Sequence, residues 1–550
     1  SVLLDTIQLG GEFFLSLMSL YFEKAMMNPC SLFSKRALIG ISLFRSNRWV
    51  KASPYQEHKH TLLAFYTTSA GSISQAAICR LCDVLDSVRD NSVSLGSRHE
   101  SSIVSTSSSS FNSLAKRLSF DYELLPTLEM KQNAHQKRGR ILELLVSDFG
   151  TSHESIIDAA KNYTTHASDT DLPFQRSQLL KRLQDACTPQ YERLFHIVLA
   201  EDARKGIQFL VQLREDLLNF IKIQSADGNE SLVANLKLMD ASLRSLLAFW
   251  FSSETLEIRR ITYQFTSAAI IETIAVKEAV HPVRSLDDLR TRLGPDKRVF
   301  CAFHPLWPEE PLVFVHVALR HSIPSAMAQV LTSQTNIDLF TVATMYSISA
   351  TQSGLSGIDL GHSLLQKAMT LLRQEIPSLA TFVTLSPIPG FRNWMKEKLL
   401  SLQRGGKFLD SSFLSEQDLK LLCTSFKCST KEDALDSLFK GLEDPWKLMD
   451  SEAAENLRPL FLKLATRYLV MEKHRRKPLD GVARFHIQNG AELIRLNYKA
   501  DLSRKGIHNS LGMMVNYQYP LERVEQNRLR HADEFSMPVL DDVLQYMHVP

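Results

Sequence analysis

The feature that most constrains this chain is a change in the spacing of its apolar residues near position 255. Between residues 135 and 252 they recur at intervals of three and four, in RILELLVSDFG, RSQLLKRLQDAC, YERLFHIVLAED, KGIQFLVQLREDLLNFIKIQ and SLVANLKLMDASLRSLLAFWF. That interval places them on one face of a helix. Asp227 and Gly228 mark a turn between the last two segments. Runs of β-branched residues are scarce here, so residues 135–254 are expected to form an all-α helical bundle. Beyond 255 the character changes. LVFVHVAL (312–319), TVATMYSIS (341–349) and TFVTLSP (381–387) are short runs rich in Val, Ile and aromatic residues, which predict strands. GHSLLQKAMTLLRQEI (361–376) has helical spacing and lies between the last two. Strand, helix and strand in that order predict a mixed α/β domain over residues 255–550. The expected fold class is α+β and multidomain, with the all-α bundle N-terminal to the mixed α/β domain.

Length and charge narrow the function. A chain of 550 residues exceeds one ordinary core, since domains run to roughly 100–200 residues. A net charge of +3 is small for that length and argues against a nucleic-acid partner. No apolar run approaches the roughly 20 residues that span a bilayer. The seven cysteines are scattered and odd in number, which is no disulfide framework. Cys79 and Cys82 form a CxxC pair within AAICRLCDVL, which reads as an amphipathic helix, and the other close pair, Cys423 and Cys428, has the wrong spacing to complete a zinc site, so no metal is expected. Residues 1–60 read as a leader. Positions 24–56 lack Asp and Glu but carry Lys24, Lys35, Arg36, Arg45, Arg48 and Lys51. Phe33, Ala37, Ile41 and Phe44 share one helical face there. This is the composition of a mitochondrial presequence, with Met26 or Met27 as the candidate start. Residues 61–134 are expected to begin the helical part, interrupted by a flexible segment at 91–113 that holds 11 serines in 23 positions.

Three segments have the chemistry of a site. In SATQSGLSGIDLGHSLL (349–365), glycines and serines join a strand to a helix. Backbone free of bulk can approach a phosphate there, and the first helical N–H groups point outward. The segment differs from a Walker loop and from the dinucleotide fingerprint. It is similar to the acyl-CoA loop of GNAT-type acyltransferases, Gln/Arg-x-x-Gly-x-Gly/Ala, read here as Thr351-Gln352-Ser353-Gly354-Leu355-Ser356. A purely structural small-residue turn is the competing reading. In LSPIPGF (385–391), Pro387 and Pro389 hold Ser386 rigidly at a strand end, where it either handles protons or satisfies the turn. In RFHIQNGAEL (484–493), His486 is expected in an extended run, pointing opposite to Phe485 and Ile487, before a turn at Asn489-Gly490. A satisfied core histidine is the alternative. The basic run Lys473, Arg475, Arg476 and Lys477 reads as a solvated surface rather than a phosphate contact.

These segments occur with further long motifs. EAVHPVRSLDDLRTRLGPDKRVFCAFHP (278–305), EEPLVFVHVAL (309–319), MYSISATQSGLSGIDLG (345–361), TLSPIPGF (384–391), EKHR (472–475), RFHIQNGAELIRLNYKADLSRKGI (484–507) and GMMVNYQY (512–519) follow one another. Together they resemble the malonyl-CoA decarboxylase family, densely over residues 255–520 and more loosely from about 135. The resemblance implies a helical domain followed by a GNAT-like catalytic domain. It implies conversion of malonyl-CoA to acetyl-CoA and CO2 in fatty-acid and malonate metabolism, with no metal and no organic cofactor. It makes Ser386 and His486 the catalytic and substrate-contacting pair. It gives the substrate-binding loop to Ser356, Gly357, Ile358, Asp359, Leu360, Gly361 and His362, with Asp359 where the family usually has Glu. It further implies a homo-oligomer, a dimer or tetramer, and a mitochondrial location, with peroxisome or cytoplasm as alternatives. The rival readings are a GNAT-type acyltransferase acting on an amine and an inactive scaffold.

Overall fold

The computed structural model describes residues 80–85, 114–115, 117–119, 122, 131–166, 173–334, 340–404 and 413–547. The expected leader, the serine-rich segment and Cys79 lie outside the described residues.

The described residues between Lys131 and Trp250 are mostly helical, in six helices from Lys131–Asp148 to Glu230–Trp250. Asp202 caps the helix Ala203–Ala226 by accepting the backbone N–H of Arg204 and Lys205, which satisfies two donors that the first turn leaves free. That helix buries Ile207, Leu210, Val211 and Leu217, and the next, Glu230–Trp250, buries Leu236, Met239, Leu243 and Leu247. Both stripes follow the spacing of three and four. The helices His153–His166 and Pro173–Cys187 pack chiefly on each other, and the first buries no residue.

The remainder is organised by a mixed eight-stranded sheet. Its strands are β1 (Glu257–Ile261), β2 (Lys297–Phe303), β3 (Val313–Arg320), β4 (Val342–Ala350), β5 (Thr381–Thr384), β6 (Ser386–Pro387), β9 (Glu492–Asn497) and β10 (Met514–Gln518). A separate hairpin holds β7 (Lys473–His474) and β8 (Lys477–Pro478). The order is β1-β2-β3-β4-β5-β10-β6, and β9 also pairs β10. Every residue of β2 and β3 is buried, as central strands covered on both faces require. All pairs are antiparallel except β4 with β5. A parallel pair needs a crossover, and the helix Leu360–Glu375 supplies it, burying Leu364, Leu365, Ala368 and Leu372.

Two irregularities open this sheet. The parallel pairing runs from Val342 with Thr381 to Met345 with Thr384 and ends. β4 continues to Ala350 beside β3, while Ser386 and Pro387 pair instead with Val515 and Met514 of β10. The expected strand 381–387 is thus broken at Leu385, between β5 and β6. A bulge sits at the same level, because His316 faces Ser347 but Val317 faces Met345, leaving Tyr346 as the extra residue. Bulges of this kind re-aim side chains beside functional clefts.

Candidate active site

Where β4 and β5 part there is a cleft of about 370 Å³. Met345, Tyr346, Ser347 and Ile348 line one side, and Ser386 and Pro387 the other. The turn after β4 and the helix Gly481–Gln488 close the ends. Most of the lining is apolar, with a few polar side chains, Ser347, Ser356, Ser386 and His486 among them, as in small-ligand sites generally.

Ser386 and His486, a hundred residues apart, meet here. Ser386 Oγ lies 3.0 Å from His486 Nε2 and 2.9 Å from Thr384 Oγ1. Thr384 and Ser386 are two apart on nearly extended chain, so their side chains share a face. On the other side of the imidazole, Nδ1 lies 2.8 Å from the Tyr519 hydroxyl. The Tyr517 ring stacks on His486 with centroids 4.7 Å apart and fixes its plane. Burial pulls the His486 imidazole down to about 3, because a cation is poorly solvated there. The ring is therefore neutral at neutral pH. Burial also pushes the Tyr519 hydroxyl up, so it keeps its proton.

These contacts assign the tautomer. Tyr519 is buried, and its phenol has His486 Nδ1 as its hydrogen-bond partner among the described residues. An unpaired buried donor is costly, so the phenol O–H donates to Nδ1. Nε2 then carries the ring proton and donates it to Ser386 Oγ, which donates to Thr384 Oγ1. Thr384 Oγ1 also accepts the Tyr517 backbone N–H at 3.2 Å. The result is a line of four side chains with one donor direction, of which His486 and Ser386 line the cleft.

His486 does not lie in the expected extended run. It is in the last turn of the helix Gly481–Gln488. Asp480 starts that helix by accepting the N–H groups of Val482 and Ala483 at 2.9 and 2.8 Å. Asn489 caps its end, followed by Gly490 at φ +84°. Burial pushes the Asp480 carboxyl up to about 6, against the pull of those two N–H groups.

The glycine and serine loop takes its expected place between strand and helix. Ser356, Gly357, Ile358, Leu360 and Gly361 line the cleft, whereas Asp359 and His362 lie outside that lining. Gly361 allows a close approach: a Cβ there would come within 2.8 Å of the Phe485 ring, next to His486. The loop and the histidine helix are thereby locked together. Behind β4, Glu278 accepts Ser347 Oγ at 2.7 Å and stands 3.2 Å from His316 Nε2. Burial pushes the Glu278 carboxyl up, but the bonds from His316, Ser347 and the His281 N–H outweigh it and hold it at about 2. The basic residues 473–477 belong to the separate β7–β8 hairpin and do not line the cleft. Among the described residues, no cluster of His, Cys, Asp or Glu is arranged to hold a metal ion.

Thr384, Tyr517 and Tyr519 were not singled out by sequence reasoning. For Thr384 a signal existed, because TLS places Thr and Ser on one face of extended chain. The tyrosines reach His486 only through the pairing of β10, which no local pattern reports.

Residues 149–251 match the malonyl-CoA decarboxylase N-terminal domain, and residues 254–545 match the malonyl-CoA decarboxylase C-terminal domain. The mitochondrial malonyl-CoA decarboxylase of Anser anser anser is 31% identical over 82% of this chain and 92% of its own length. That of Rattus norvegicus is 33% identical over 74% and 81%. The crystal structure of malonyl-CoA decarboxylase from Agrobacterium vitis is similar at 30% identity and a TM-score of 0.64, covering 84% of this chain and 99% of that one. The Rhodopseudomonas palustris structure has 28% identity, the same coverage and the same score.

Proposed function

The chain belongs to the malonyl-CoA decarboxylase family of carboxy-lyases, and we propose that it releases CO2 from malonyl-CoA through the Ser386–His486 pair. The observation that carries this reading is the 3.0 Å contact between Ser386 Oγ and His486 Nε2 in the lining of an apolar cleft. The splayed β4–β5 pair and the small-residue loop beyond it support a GNAT-like arrangement, with the thioester between the strands and the phosphates near Ser356–His362.

The net reaction consumes one proton. The bond between the carboxylate carbon and the α-carbon breaks, its electron pair becomes a thioester enolate, and the α-carbon then gains hydrogen. A carboxylate entering an apolar cleft is poorly solvated and attracts a compensating charge. His486, neutral when the site is empty, takes up a proton on Nδ1 alongside the substrate, and the Tyr519 hydroxyl turns to accept from it. Decarboxylation then leaves the enolate beside a charged Nε2–H, which donates to the α-carbon. Ser386 turns its one hydroxyl proton from Thr384 Oγ1 to the developing oxyanion. Tyr519 and Tyr517 keep the ring in place during both steps.

The names of the vertebrate relatives support a mitochondrial location for this chain. The helix His153–His166, which buries nothing, and the exposed Phe174 support assembly into a homo-oligomer through the helical part. The test of the reaction is incubation with malonyl-CoA without any acceptor, following acetyl-CoA and CO2. Equal yields of both, lost in Ser386→Ala and His486→Asn, are expected. Malonyl-CoA that persists in the presence of folded wild-type protein would overturn the reading.

A further inference from the structure

The substrate loop does not rest on the sheet alone. The turn that precedes it, Ser353–Leu355, lies against the helix Ala203–Ala226. There the buried Arg214 donates Nη1 to the Gly354 carbonyl at 2.7 Å and Nε to Asp240 at 2.8 Å. Gly354 fits because it has no side chain: a Cβ would fall 1.9 Å from the Val211 carbonyl oxygen. Asp240 belongs to the helix Glu230–Trp250, so both long helices are tied to the loop through one guanidinium.

One turn beyond Asp240, that second helix presents Arg244. A Cβ on Gly357 would lie 3.8 Å from Arg244 Cδ, so the arginine stem runs alongside the loop. Arg244 is exposed, and its guanidinium has no ion pair or hydrogen bond among the described residues. The neighbouring charges are already answered. Arg528 lies in electrostatic reach of Asp359 and pairs with Glu525, which in turn feels His362. Among the described residues, Arg244 is a cation at the loop that has no partner.

We propose that Arg244 is a substrate-binding residue that meets phosphate oxygens of the CoA moiety, so that the helical part of the chain completes the thioester site. This rests on the thioester reading above. A guanidinium offers paired N–H donors that match phosphate oxygens. The Arg214 clamp fixes the distance between the two helices and the loop, so the cation is presented to an incoming phosphate without a domain movement. Arg214 itself is a positioning residue and touches no substrate.

The test compares wild type and Arg244→Gln on malonyl-CoA and on malonyl-pantetheine, which keeps the reacting end but carries no nucleotide and no phosphate. A charge-assisted bond at an exposed site corresponds to a roughly 10-fold effect. Arg244→Gln should raise KM for malonyl-CoA by about that factor, leave kcat in place, and leave both constants for malonyl-pantetheine unchanged. Arg214→Lys should raise KM for both substrates, because it disturbs the shape of the loop. An equal loss on both substrates in Arg244→Gln, or no loss on malonyl-CoA, overturns the proposal. Calorimetric titration with CoA itself reads Arg244 independently of turnover, and Arg244→Gln should bind CoA roughly 10-fold more weakly. If wild type binds CoA but does not consume malonyl-CoA, the decarboxylase reading fails, and this titration still decides Arg244.

Discussion

Replacing Tyr519 by Phe removes one oxygen from the site and little else. The ring is 2% exposed and packs against His486 with centroids 6.1 Å apart, so the substitution keeps the packing and admits no water. What is lost is the donor 2.8 Å from His486 Nδ1. A buried acceptor left without its partner costs about 1–3 kcal/mol. The cost falls on the tautomer with the proton on Nε2, because only that tautomer needs a donor at Nδ1. Ser386 then sees a bare Nε2 for most of the time, and the donor line toward the cleft reverses. Turnover should fall by roughly 5- to 150-fold, the same free energy read as a rate at 1.36 kcal/mol per factor of ten. KM should stay within about 2-fold, since the phenol lies behind the ring and touches no substrate. Steady-state kinetics with malonyl-CoA separates the two constants, and ¹⁵N shifts of the His486 ring report the tautomer directly. A kcat within 2-fold of wild type, or a loss that appears in KM alone, would refute the assignment of the proton to Nε2.

Further outcomes follow from the same geometry. Gly354→Ala places a Cβ against the Val211 carbonyl oxygen, so it should destabilise the protein by about 1–3 kcal/mol, measured by urea unfolding. It should also raise KM; an unaltered unfolding midpoint would mean that the turn shifts freely on the helix. Gly361→Ala pushes on the Phe485 ring and through it on the helix that carries His486. It should lower kcat by roughly 10-fold with a smaller change in KM, and unchanged turnover would show that the two elements are not locked. Asp480 holds its proton up to about pH 6, against 3.8 for the ordinary carboxyl. The folded state therefore binds more protons than the unfolded one between those values, and stability falls as pH rises from 4 to 6. Asp480→Asn keeps the helix cap but cannot titrate, so it should flatten that slope in urea midpoints taken across the window. A slope identical to wild type would place its origin elsewhere.

The sequence reports what local spacing can carry and is silent on what pairing decides. β3 and β4 were legible because central strands need continuous apolar residues, and the run 312–319 already contains most of Val313–Arg320. The crossover helix was legible because sixteen residues are enough turns for one face to repeat. The helix Gly481–Gln488 was not. It is barely two turns long, and over VARFHIQ the apolar residues fit an alternating pattern as well as a helical one. The deciding signal was Asp480, an acid two residues before the run that satisfies the first free N–H groups. Once this segment is helical, the reason that His486 meets Ser386 also changes. Alternation no longer aims the imidazole; its direction comes from where the helix is pinned. Asp480 pins its start, Gly361 admits Phe485 at one flank, and Tyr517 and Tyr519 hold the ring from β10 and the residue just past it. Of those partners, Gly361, Tyr517 and Tyr519 are far from His486 in sequence. The motifs that marked Ser386 and His486 therefore located the chemistry, while the residues that give it direction had to wait for the sheet, because a hydrogen-bond donor has an address only after its strand has a neighbour.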